Sequence, residues 1–198
     1  MYAADVGDAS TIPGLQVHGF DEIKFDASCM ASGLWVDPLG CGRFVEQTNS
    51  VASHKVIYLS EGWSTGRHLV QFKILAGATH KYILIGVAEA GACSLTTSTY
   101  PGHASNGGVA YYGHNGYRYY SNTNAAYGEP YGAGDTIGIL LNLDAGTVSF
   151  LKNGRLLGVA LGSDSLKRGA KYFPVVALYE MGHRVAICDA PGPNPSSH

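Results

Sequence analysis

The run Gly62-Trp63-Ser64-Thr65-Gly66 has the Gly-x-Ser-x-Gly spacing of a nucleophile elbow. In that device a strained turn between a strand and a helix lifts a serine hydroxyl towards an oxyanion hole. The residues after Ser64 speak against it. His68, Val70, Phe72 and Ile74 alternate with Leu69, Gln71, Lys73 and Leu75, which is the period of a strand. Ser64 therefore reads as part of a turn leading into a strand. The eight histidines form no His-Glu-x-x-His motif and no Cys/His quartet, and His103 and His114 stand apart on either side of a predicted strand. Gly132-Ala133-Gly134 would need a third glycine at 137 to cradle a dinucleotide, and Ile137 stands there. Glu129 and Asp135 lie beside Gly and Pro, where turn chemistry accounts for them. These residues give no catalytic group, no metal ligand set and no cofactor, so a non-enzyme is expected.

The aromatic distribution is the stronger anomaly. Tyr100, Tyr111, Tyr112, Tyr117, Tyr119, Tyr120, Tyr127 and Tyr131 place eight of the 13 tyrosines in one short stretch. On a strand Tyr117 and Tyr119 share a face and Tyr120 points to the other. Most strand tyrosines are expected to fill a core. Tyr100, followed by Pro101-Gly102 in a long loop, suits either packing or recognition, because tyrosine offers rigid apolar area and a hydroxyl.

The elements that must position these residues are strands. The segment ending at Leu161 holds three apolar runs, GDTIGILLNL, TVSFLKN and RLLGVAL, parted by Asp144-Ala145-Gly146 and by Asn153-Gly154. Asn-Gly between apolar runs is a strong hairpin signal, since both residues accept positive φ. A second such signal is His114-Asn115-Gly116. Further strand-like runs lie at 55–60, 67–75, 81–88, 108–113, 116–121, 172–179 and 183–189, and no apolar pattern sustains a helical period. Three stretches resist strand assignment, 43–55, 89–108 and 121–134, and long loops on a rigid scaffold are where binding residues usually sit. Residues 1–17 read as an N-terminal arm, 18–190 as one domain and 191–198, with its prolines, as a tail.

Composition agrees with that architecture. The 198 residues are 45% apolar and 14% charged, with 27 glycines, which suits an all-β sandwich or barrel and excludes disorder and coiled coil. A net charge of -2 gives no electrostatic reason to bind nucleic acid or a membrane surface. No stretch has the length to span a bilayer, and the first residues lack a basic start followed by an apolar run. Cys29, Cys41, Cys93 and Cys188 show no Cys-x-x-Cys spacing, so reduced thiols and a cytoplasmic location are expected.

In order and spacing, EGWSTGRHLVQFKI, YILIGVAEA, YYGHNGYRYYSN, EPYGAGDTIGILLNLDAGTVSFLKNGRLLGVAL and YFPVVALY resemble the SPRY domain. The YYGHNG to PYG section is similar to the Ran-binding-protein-M type, and GWSTGRH to the SOCS-box type. The resemblance implies a bent antiparallel sandwich of two sheets with little or no helix and no catalytic activity. It also implies a protein-interaction module, often the substrate-recruiting part of a ubiquitin-ligase assembly. In the SOCS-box type, edge loops hold a short acidic, Asn-rich peptide through an Arg-Pro-x-Ala stretch, a tyrosine and a Trp-Gly pair. By position the first corresponds to Gln47–Ala52, including Asn49 and Val51, the second to Tyr100, and the third to Met181, Gly182 and His183. The Arg-Pro pair is missing, with Arg43 the nearest basic residue, and Met181 replaces the tryptophan. The site is therefore expected to keep its place and change its ligand. A monomer binding a protein or short peptide through the 43–55 and 89–108 loops is the resulting expectation. The alternative is lectin-like carbohydrate binding, which would use the tyrosines with Asn106, Asn115, Asn122 and Asn124.

Overall fold

A computed structural model describes residues 12–77, 81–103, 108–163 and 165–189. Fifteen strands and no helix occur among them. In chain order they are β1 (Leu15–His18), β2 (Phe25–Met30), β3 (Leu34–Val36), β4 (Phe44–Gln47), β5 (Lys55–Leu59), β6 (Arg67–Ala76), β7 (Leu84–Glu89) and β8 (Val109–Tyr112). They continue as β9 (Tyr117–Tyr120), β10 (Thr123–Ala126), β11 (Thr136–Asn142), β12 (Thr147–Lys152), β13 (Arg155–Leu161), β14 (Tyr172–Leu178) and β15 (Arg184–Ile187). One sheet runs β13-β12-β11-β6-β15-β4-β3 and the other β10-β9-β8-β7-β14-β5-β2. Every pairing within those two orders is antiparallel, and the two sheets stack as the expected sandwich.

Alternation along the strands builds the core. In β6 Val70, Phe72 and Ile74 face inward, and in β11 Ile137, Ile139 and Leu141 do the same. They meet Ile57, Ile85, Val87, Tyr111 and Val176 of the other sheet, all essentially inaccessible to water. Burial of each such side chain contributes roughly 1.5–3 kcal/mol, so this inner layer is the main source of stability.

The predicted hairpins are present. Asn153 and Gly154 both take positive φ, 51° and 81°, between β12 and β13. Gly146 (φ 66°) closes β11 to β12, and Gly116 (φ 75°) closes β8 to β9. Asn153 does more than turn the chain. Its Oδ1 accepts the Thr136 amide at 2.8 Å and its Nδ2 donates to Asp135 Oδ1 at 2.8 Å. Burial pushes the Asp135 carboxyl up, but the Asn153 and Gly132 donors with Lys152 and Lys81 outweigh it, and the net shift is downward. A carboxylate held below its unfolded value of about 3.9 stabilises the fold above that pH and ceases to as pH falls through the folded value. Asn153→Gly, which keeps the turn and removes the amide, is expected to cost about 1 kcal/mol at neutral pH. The difference from wild type should shrink on acidification, as read by urea denaturation at a series of pH values.

Five strands escape sequence pattern, β1 to β4 and β10. Phe44–Gln47 lies inside the 43–55 stretch read as loop, because the inward position after Val45 is a glutamine. Thr123–Ala126 lies inside 121–134; it is an edge strand with mostly exposed side chains and carries no apolar signal. In Phe25–Met30 a register irregularity against β5 breaks the alternation, and Leu34–Val36 is three residues long. The expected N-terminal arm falls largely outside the described residues, as does the 191–198 tail. The end of that arm, Leu15–Val17, is not loose chain but strand, and it pairs with β6 in parallel.

Candidate functional site

The outer face of the second sheet carries its own apolar layer. Val56, Tyr58, Leu84, Ala88, Ala110, Val175 and Ala177 point away from the core and are nevertheless buried. The chain after β7 covers them, with Ala92, Cys93, Leu95 and Tyr100 packed against the sheet. The Cys93 amide donates to the Tyr58 hydroxyl at 2.7 Å and pins this segment. Its far end is locked by Gly102, whose carbonyl accepts the Asn122 amide at 2.9 Å.

Where the covering segment ends, rings gather. The His54 ring lies 5.0 Å from that of Tyr100, 4.8 Å from Tyr179 and 6.4 Å from Tyr112. Tyr82 joins through Tyr179 at 5.3 Å and Tyr112 at 6.1 Å, and Tyr119 packs edge-on against Tyr100 and Tyr112 at 5.7 and 5.4 Å. His103 and His114 flank the group, at 5.0 Å from Tyr100 and 4.8 Å from Tyr82. These residues come from distant places in the chain, brought together because β5, β14, β7, β8 and β9 are neighbours in one sheet.

Electrostatically the shelf is neutral and partly dry. Burial, with the charges of His183 and His103 adding, lowers His54 to about 4, so its ring is uncharged at neutral pH. Its Nδ1 is buried and has no hydrogen-bond partner among the described residues. Burial pushes the Tyr100 and Tyr112 phenols upward, so both keep their protons. Next to His54 a groove of about 290 Å³ runs between Ser53, Lys55, Leu95, Thr97 and Ser98. A larger cavity, about 460 Å³, opens at the opposite end of the strands beside Ser64, Asp144 and Lys167. There Asp144 accepts the Gly66 amide and Lys167 pairs with Glu89, so both are engaged within the fold.

The expected site residues divide between wall and floor. Gln47 N–H donates to the His183 carbonyl at 2.9 Å and Gly182 N–H to the Gln47 carbonyl at 2.8 Å, which brings 47–52 and 181–183 together. Ser53 N–H donates to the Tyr179 carbonyl and His54 N–H to Ser98 Oγ, both at 3.1 Å, which ties these loops to the ring shelf. Gln47 is fully buried, not a loop contact, and neither end of its side-chain amide has a partner among the described residues. His183 is also buried; its Nδ1 accepts the Tyr179 and Glu180 amides at 3.2 and 3.3 Å, which leaves the proton on Nε2. Asn49 accepts the Val51 amide at 2.7 Å and shapes the turn. Val51 and Met181 are 65% and 58% exposed, Ala52 is exposed, and Gly182 bends the chain with φ 90°. Tyr100 is half-buried in the shelf.

Sequence alone does not single out His54, Tyr82 and Tyr179, and it names Tyr112 only within the tyrosine cluster. The tyrosine density marks the region, but only sheet register shows which rings share a face. For the carbohydrate alternative, Asn115 is occupied by the Tyr117 amide at 3.0 Å, Asn122 sits in the β9–β10 turn, and Asn106 lies outside the described residues.

Fold and site together define a two-sheet β-sandwich that carries its distinctive chemistry on one sheet face and the adjoining edge loops. The sequence model of the SPRY domain matches residues 67–189, more than half of the chain, which therefore belongs to the SPRY domain family. Solved structures agree in fold. The SPRY domain of human HERC1 superposes with a TM-score of 0.67 at 22% identity, covering 83% of this chain and 97% of that one. A human SPRY domain gives 0.63 at 20% identity, with 79% and 95% covered. The TRIM65 PSpry domain gives 0.66 at 11% identity, with 87% and 93% covered.

Proposed function

We propose that the chain is a non-catalytic interaction module that captures a short segment of a partner protein on the ring shelf around His54. Membership of the SPRY family, whose domains mediate protein interactions, supports the class. The observation that carries the site is the half-buried group of Tyr100, Tyr112 and Tyr179 around a neutral histidine. Rings packed edge-on and tilted against one another supply a rigid apolar seat, and exposed Val51 and Met181 form an apolar rim. Peptide binding suits this better than sugar binding, because Asn115 is already engaged by the Tyr117 amide and Asn122 turns the chain between β9 and β10. The same reading extends to a recruiting or scaffold role in a larger signalling or ubiquitin-ligase assembly.

The test is a peptide library selected on the wild-type domain, followed by calorimetry of the best binder. Tyr100→Ala is expected to weaken binding by about 2 kcal/mol, some thirtyfold, while its unfolding midpoint stays close to wild type. Unchanged affinity would move the site elsewhere. Selection of glycans on an array, with no peptide recovered, would replace the peptide reading.

A further inference from the structure

β1 is held on the first sheet by a hydrogen-bond chain that runs through two histidines. The strand pairs in parallel with the start of β6, from Leu15 opposite Arg67 to His18 opposite Val70. Ile12, Leu15 and Val17 cover Leu69, Leu140 and Leu151 on the outer face of that sheet. Arg67 donates to the Pro13 carbonyl at 2.8 Å. At the other end of the strand His18 Nε2 lies 3.0 Å from His68 Nδ1, and His18 Nδ1 lies 2.7 Å from the Glu22 carboxylate. His68 Nε2 lies 2.7 Å from the Thr65 carbonyl. Trp63 stacks on both rings, at 4.5 Å from His18 and 4.3 Å from His68.

Proton counting fixes the state in which this chain is complete. A carbonyl only accepts, so His68 Nε2 carries hydrogen. The ionised Glu22 also only accepts, so His18 Nδ1 carries hydrogen. One more proton is needed between the rings, and either ring can own it. Three ring protons, a single positive charge on the pair, therefore satisfy all three bonds. With two protons, either two lone pairs face each other or a lone pair faces the carboxylate or the carbonyl. With four, two N–H groups collide.

We propose that the Glu22–His18–His68–Thr65 chain is a proton-set clasp, which holds β1 while the histidine pair carries one positive charge and releases it when the pair gains or loses a proton. The charged groups that face the pair are Glu22, from the turn after β1, and Asp144, from the β11–β12 hairpin. The neighbouring Arg67 guanidinium is directed to Pro13. Burial is the main force lowering His68 below the ordinary histidine range; the Thr65 carbonyl opposes it, His18 adds to it and Asp144 opposes it. The doubly charged pair is thus confined to the acid side. Release of β1 uncovers Leu69, Leu140 and Leu151, an apolar strip on the sheet opposite the one that bears the ring shelf.

The test uses the whole chain. Hydrogen-exchange protection factors of Gln16–His18, corrected for intrinsic rates, are followed from about pH 4 to pH 9, a span that brackets histidine titration. In parallel, Trp63 emission is read in a Trp35→Phe background. Protection should pass through a maximum and fall about tenfold on each side, the worth of one lost hydrogen bond, with emission changing in step. The amides of Ile139–Leu141 should stay protected throughout, which separates clasp release from unfolding. His18→Gln should abolish the alkaline limb, because an amide completes the bond to His68 without a titrating proton. Exposed Glu22→Gln should shift that limb to lower pH. A flat wild-type profile, or an alkaline limb preserved in His18→Gln, would overturn the proposal.

Discussion

Tyr131→Ala is expected to destabilise the domain by about 3–5 kcal/mol, the range for removing a large aromatic side chain from a closed core. Tyr131 is 1% exposed and belongs to the Pro-Tyr-Gly segment just before the meander. Its ring lies 4.9 Å from that of Tyr111, which in turn touches Phe150 at 5.6 Å, so it fills the space where the two sheets meet. Its hydroxyl sits 2.9 Å from the Ile83 carbonyl and 2.8 Å from the Tyr111 carbonyl. Burial raises this phenol well above its ordinary pKa, so the donor persists across the range in which the protein is folded. Tyr131→Phe keeps the ring and removes the donor, and is expected to cost about 1–2 kcal/mol. The gap between the two variants isolates cavity from hydrogen bond. Urea midpoints with unchanged slopes provide the measurement, and a Tyr131→Ala cost below about 1 kcal/mol would contradict the packing described.

The contrast between Tyr131 and the rest of the tyrosine cluster shows what sequence could and could not carry. Alternation along GYRYYS places Tyr119 and Tyr120 on opposite faces, and Tyr120 does join the inner core while Tyr119 joins the outer layer. Asn153-Gly154 announces its hairpin because only a few residues tolerate that backbone. Those signals are local, and each is written within a few residues. The shelf is not. His54, Tyr82 and Tyr179 are far apart in the chain, and they meet because Leu178 pairs with Lys55 and Ala177 with Leu84. Register of that kind depends on which sheet a strand joins, which no short window encodes. Edge strand β10 stayed hidden for a different reason. Its backbone pairs with β9, but its side chains face water and need no apolar pattern. Resemblance to the family points to 47–52 and 181–183, which the fold brings together, and the structure shows that Gln47 and His183 are buried beneath the exposed loop residues.

Gly102→Ala is expected to be the most damaging single change to binding that removes no aromatic side chain. Gly102 has φ 85°, a conformation that costs a residue with a Cβ about 1–2 kcal/mol. A Cβ there would also lie 2.2 Å from the Tyr119 carbonyl oxygen, so the backbone itself must shift. The two effects together should cost about 3 kcal/mol of stability. The displaced segment carries Tyr100, two residues earlier, and the ring contacts of Tyr100 to His54 and Tyr119 depend on its position. Affinity for the selected peptide should therefore fall at least about tenfold, since a seat displaced by an ångström loses its packing. Gly91 supplies the control within the same segment. Its φ is 70°, but a Cβ there meets nothing within 4 Å, so Gly91→Ala should cost only about 1 kcal/mol. Its affinity should match wild type. Calorimetry and urea denaturation of the pair separate general destabilisation from loss of the seat. If Gly102→Ala bound peptide as wild type does, the ring shelf would not be the binding surface, whatever its stability showed.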